Sequence, residues 1–181
     1  MSTDAQPDTG SGAVDRAVAD LRSAAPSWVE LGVDERIALL DELARSVLEA
    51  ADGWTTAAAQ AKGIRRDSPA MAEDWGSGVV ATLRNLTLLA ATLRDVRDTG
   101  RPAPPAIRLD EAGRTVVDVF PTEPADRLLL PGFTAEVRLA DGVTPDEARE
   151  RMGRIYHPDH RSDPAVALVL GAGNVSSIGP M

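Results

Sequence analysis

The chain has 181 residues, a formal net charge of −9 and a pI near 4.7, enough for one domain or one and a part. The acidic balance argues against coating DNA or RNA, which takes clustered Lys and Arg, and Lys62 is the only lysine. With no cysteine the chain forms no disulfide, thiolate zinc site or thiol nucleophile; its polar start lacks signal-peptide regions, and no apolar stretch approaches the roughly 20 residues of a membrane span.

A soluble cytoplasmic protein is the expectation. Residues 1–12 are rich in Ser, Thr, Asp and Gly and predict a disordered start. Val14, Val18 and Leu21 then share one helical face, and Pro26 is expected to end that helix. The clearest periodicity lies over 34–51, where Ile37, Leu40, Ala44, Val47, Leu48 and Ala51 recur at helical spacing. Gly32 is the N-cap with Glu35 at the capping-box position. Asp52 predicts the cap of a separate short helix from Trp54 to about Lys62, stopped by Gly63. Ser68-Pro69 predicts another helix start, running to about Arg97 with Gly76 and Gly78 as a weak point. Trp28, Trp54 and Trp75 read as core or interface anchors rather than a binding box.

The period changes after Pro102. Ile107 to Leu109 and Thr115 to Phe120 flank Asp110-Glu-Ala-Gly-Arg114, which predicts a β-hairpin. Pro121, Pro124 and Pro131 mark a loop-rich stretch, and Ala135 to Leu139 alternates weakly, as a further strand would. Thr144-Pro145-Asp146-Glu147 combines cap, first-turn proline and capping-box Glu, and predicts a helix to about Tyr156. His157 and His160 flank Pro158-Asp159; the proline prevents a helical ligand array, and the segment reads as a solvated loop. Val166 to Leu170 is a continuous apolar run, the pattern of a strand buried on both faces. The turn Gly171-Ala172-Gly173-Asn174 follows. It matches the first two glycines of a dinucleotide fingerprint, but Ser176 holds the third position, so a plain tight turn stands beside the cofactor reading. Asn174 is either an oxyanion donor at a strand end or a turn-stabilising side chain bonded to its own backbone.

The order of these pieces resembles a family. Trp28…Asp34-Glu35-Arg36-Ile37-Ala-Leu-Leu40, the continuation through Asp52-Gly-Trp54 to Ala61-Lys62-Gly63, and Ala72-Glu73-Asp74-Trp75 are similar to the start of many aldehyde dehydrogenases. Val166-Ala-Leu-Val-Leu-Gly-Ala-Gly-Asn174 looks like the strand that enters the family's NAD(P)-binding domain, with Gly173-Asn174 where Trp-Asn is usual. The resemblance covers about residues 26–181. It implies an α/β fold, incomplete here: N-terminal helices, a β-hairpin region, then the opening strand of a Rossmann-like domain. It divides the chain into a disordered 1–12, a helical 13–102, a hairpin and strand region with one helix over 103–164, and the first strand and turn of a truncated NAD(P)-binding domain over 165–181.

The resemblance also implies roles. Asn174 corresponds to the oxyanion-stabilising asparagine, and Leu170, Gly171, Ala172 and Gly173 to the segment lining the nicotinamide side of NAD or NADP. In the family a cysteine thiolate attacks an aldehyde, hydride passes to NAD(P), and the thioester is released to give a carboxylate or another thioester. The nucleophilic Cys, the general-base Glu and the ribose-contacting Lys have no counterpart here, so the expectation is an inactive fragment of an aldehyde dehydrogenase-like oxidoreductase. The implied partners are an aldehyde substrate and, through the hairpin region, further copies of the chain. The alternative is a non-catalytic interaction or oligomerisation module.

Overall fold

The computed structural model describes residues 11–103, 106–156 and 163–169. α1 (Ser11–Glu30) carries Val18, Ala25 and Val29 half-buried along one face. It does not stop at Pro26, contrary to expectation, but runs through it for another turn. Proline lacks the N–H that would bond back to Arg22 and crowds that carbonyl, so the last turn is weak alone. Arg36 supports it: its guanidinium donates to the carbonyls of Trp28 at 2.8 Å and Leu31 at 3.1 Å, and lies 5.2 Å from the Trp28 ring centroid. Trp28 itself is 55% exposed and no core anchor.

α2 (Val33–Lys62) is one helix where the sequence predicts two. Asp52 caps nothing, because the helix runs unbroken through it; its carboxylate meets Arg66 at 2.8 Å. Ile37, Val47 and Ala51 before Gly53, and Thr55, Ala58 and Ala59 after it, are all buried. That packing outweighs the ~1 kcal/mol a mid-helix glycine costs. Both ends are as expected. Gly32 donates its N–H to Glu35 at 2.8 Å, and Gly63 takes φ +68°, with its N–H on the Gln60 carbonyl and the Ile64 N–H on that of Ala59.

After the Ser68-Pro69 turn the backbone stays helical to Thr99 but changes its winding. α3 (Met71–Glu73) leads into a π-helical stretch, Asp74–Val80, and then α4 (Ala81–Thr99). The wider winding falls where Gly76 and Gly78 were expected to weaken the helix. Ser77 fills part of the gap by donating its hydroxyl to the Glu73 carbonyl.

The second half is an antiparallel sheet of order β1-β2-β3: β1 (Ala106–Leu109), β2 (Thr115–Phe120) and β3 (Ala135–Arg138). The predicted hairpin is present, with Ile107 opposite Val117 and Leu109 opposite Thr115. Asp110 makes its turn, accepting the Arg114 N–H at 2.8 Å and the Ala112 N–H at 3.0 Å. A bulge falls between Asp118 and Phe120 in the pairing with β3. The proline-rich stretch, expected as loop, holds α5 (Pro124–Leu129), started by Pro124 and by the buried Asp126 carboxylate, which accepts the N–H groups of Thr122 at 2.9 Å and Glu123 at 3.2 Å. α6 (Pro145–Arg151) has the predicted capping box in full: Thr144 Oγ1 accepts the Glu147 N–H at 3.2 Å, and Glu147 accepts the Thr144 N–H at 2.9 Å. It ends short of Tyr156 because Gly153 turns the chain at φ +73° beside the Pro102 ring, where any Cβ would overlap the Pro102 Cδ. A 3₁₀ turn, Arg154–Tyr156, follows.

The described residues form two compact units, one of 11–91 with 163–169 and one of 92–103 with 106–156. The division falls inside α4. In the first unit Ala59, Val79 and Ala90 are almost fully buried; in the second, Val116 is completely so. The class is mixed helix and small antiparallel sheet, with the hairpin region following the helices as expected. The buried strand expected from Val166 is corrected for its described part: residues 163–169 pair with no strand and are exposed throughout, Leu168 at 86%. A strand buried on both faces needs neighbours on its edges and faces, and no described residue supplies them. No described helix is long and apolar enough to cross a membrane.

Candidate functional site

In the helical unit, charged side chains converge on the π-helical stretch. Asp74 begins it and is only 3% exposed. Lys62, in the last turn of α2, donates to Asp74 Oδ1 at 2.9 Å and reaches the more exposed Glu73 at 3.4 Å. Asp74 Oδ2 is buried without a hydrogen-bond partner among the described residues, as is the hydroxyl of Thr56. The hydrogen bond to Asp74 holds the Lys62 pKa above its ordinary value, partly opposed by burial and helped by the negative charges of Asp74 and Glu73. A nucleophilic or Schiff-base lysine must shed its proton, and this arrangement keeps it on. The pair therefore ties the end of α2 to the π-helical stretch instead of reacting.

Two clefts lie among the described residues of the sheet unit. One, of about 440 Å³, is lined by Thr99, Arg101, Pro102, Ile107, Arg149 and Met152. Arg149 is already engaged, donating to the Ile107 carbonyl at 3.2 Å and to Asp146 at 3.0 Å. The other, of about 430 Å³, lies over the sheet and includes Arg108, Asp118, Arg127 and Glu136. Arg108 bridges Glu136 at 2.6 Å and Asp118 at 3.4 Å, and Arg138 meets Glu136 at 3.2 Å, so much of the charge in this cleft is balanced within the sheet. Three carboxylates in this unit have lowered pKa values: Asp98 through its hydrogen bond from Arg97, Asp110 through the Arg114 backbone N–H, and Glu147 through Thr144. Each is held ionised, the wrong state for a proton donor. No group of three or more His, Asp or Glu among the described residues could hold a metal ion.

The predicted site residues Leu170, Gly171, Ala172, Gly173 and Asn174, with His157 and His160, lie outside the described residues. Sequence reasoning missed the Lys62–Asp74 pair. Its signal was a lone lysine in an arginine-rich chain, facing an aspartate 12 residues on. It also missed the hold of Arg149 on Ile107, 42 residues away, for which no local pattern exists. No family model, curated protein or solved structure matches the chain.

Proposed function

We propose that this chain supplies the amino-terminal, assembly-forming part of an NAD(P)-dependent aldehyde dehydrogenase-like oxidoreductase and works in the cytoplasm. The observation that carries the reading is the succession of a helical unit, an antiparallel sheet and the sequence Val166 to Asn174, in the order of that family's first segments. On this reading Asn174 contributes an oxyanion donor and residues 170–173 one wall of the nicotinamide pocket. The thiolate that attacks the aldehyde comes from elsewhere, because this sequence has no cysteine. The chain's own work is association, which the groups already engaged in these clefts and the exposed residues of β3 favour over chemistry.

The test pairs two assays. The purified chain, offered aldehydes with NAD or NADP, is expected to form no NADH or NADPH. When tagged in its native cells, it is expected to bring down a cysteine-containing dehydrogenase that retains aldehyde-dependent cofactor reduction. Turnover by the chain alone, or recovery without any such enzyme, contradicts the proposal.

A further inference from the structure

The cleft of about 440 Å³ has a lining of unbalanced charge. Arg101 and Arg149 belong to it, and none of its described lining residues is a carboxylate, in a chain whose net charge is −9. The cleft over the sheet differs, because there Asp118 and Glu136 answer Arg108. Arg149 is fixed by its two contacts, to Asp146 and to the Ile107 carbonyl. A guanidinium has five N–H groups, so these hold its plane and leave three for another acceptor. Asp146 is 98% exposed, so water screens it and it cancels little of the arginine's charge. Arg101 is exposed, and no described residue accepts a hydrogen bond from its guanidinium. Its loop is nonetheless set. The Thr99 hydroxyl lies 2.9 Å from the Arg101 carbonyl, the Asp95 carboxylate accepts the Ala103 N–H at 3.3 Å, and the Pro102 ring stands against Gly153. Between the two cations the lining is apolar, with Pro102, Ile107 and Met152 half-buried.

We propose that this cleft binds a small organic acid, with its carboxylate on the guanidinium groups of Arg101 and Arg149 and its apolar body over Pro102, Ile107 and Met152. A planar carboxylate matches the fork of donors that a guanidinium presents. The volume suits a small molecule, and apolar walls with a few polar anchors are what such pockets have. A bare inorganic anion would leave the apolar walls uncovered. A nucleic acid needs more cations than two, and the acidity of the whole chain repels it. The contacts that keep Arg149 from other chemistry serve binding, because a guanidinium already in place loses little freedom when the acid arrives.

This inference goes beyond the function proposed above and does not depend on it, so its test reads binding and no turnover. The full chain is titrated with sodium hexanoate and followed by amide NMR. Saturable shifts are expected at Arg101, Ala103, Ile107 and Met152. Hexanol, with the body and no charge, and acetate, with the charge and little body, are each expected to bind more weakly than hexanoate. Hexylammonium is expected to leave those amides unmoved. Arg101→Gln removes a cation on which no described residue depends, and is expected to weaken hexanoate binding by about tenfold, the loss of one charge-assisted hydrogen bond. Arg149→Gln is expected to weaken it as well. If Arg149→Gln fails to fold for want of its bond to Ile107, Arg101→Gln decides. No saturable shift at those amides, equal binding of hexanol or acetate, or hexanoate binding unchanged in Arg101→Gln overturns the proposal.

Discussion

Asp74 holds a carboxylate almost completely out of water, with one oxygen on Lys62 and the other on nothing described. Burying a charge costs more than a surface pair returns unless its partner stays charged, and removing one partner leaves the other stranded. Lys62→Met is therefore expected to lower the melting temperature markedly, and adding Asp74→Leu to restore much of the loss. A single variant that melts like the wild type contradicts this role. The pH dependence has a definite sign. Because the folded Lys62 pKa lies above 10.5, the pair's contribution is complete below that pH and is lost as pH rises through the higher folded value. Lys62→Arg, whose cation does not titrate there, is expected to flatten that alkaline loss.

At the scale of elements, α6 shows how a short helix is held at its start. Seven residues cannot sustain a helix by propensity, so the Thr144–Glu147 box and Pro145 carry the load. Thr144→Ala is expected to cost about 1 kcal/mol. The Glu147 pKa is lowered, first by the Thr144 backbone N–H, so its contribution is complete above 4.5 and is lost as pH falls through the lower folded value. The protection of the Thr144 amide from exchange, relative to its intrinsic rate at each pH, should fall over that acid window in the wild type but not in Glu147→Gln; equal behaviour in both contradicts the cap. This start was legible because every part of the signal lies within four residues. The hairpin and the Gly63 stop were legible for the same reason. The continuity of α2 was not, because Ala51, Thr55 and Ala58 form a buried stripe that overrides a local Asp-Gly signal, and burial is decided by distant residues. Pro26 misled in the same way: the support for its helix comes from Arg36. In α5 the Pro124 and Asp126 start was in the sequence, masked by neighbouring prolines. β3 was legible only as a weak alternation, because its place in the sheet is set by a register that residues 115–118 and 136–138 make together. Of the candidate site, the Lys62–Asp74 pair was not legible, because it joins two helices across 12 residues.

For the whole molecule, the distribution of exposed apolar side chains bears most on function. Leu128, Leu129, Leu130 and Phe133 precede β3 and are 48–81% exposed, while Leu168 in the other unit stands at 86%. Exposed apolar surface is a feature of chains that associate. Under the proposed function this surface joins an aldehyde dehydrogenase-like assembly. The most direct measurement is capture of the tagged chain from its native cells, followed by assay of the eluate for aldehyde-dependent NADH or NADPH formation. The predicted result is a co-eluting cysteine-containing enzyme that reduces the cofactor; an eluate with no such enzyme contradicts it.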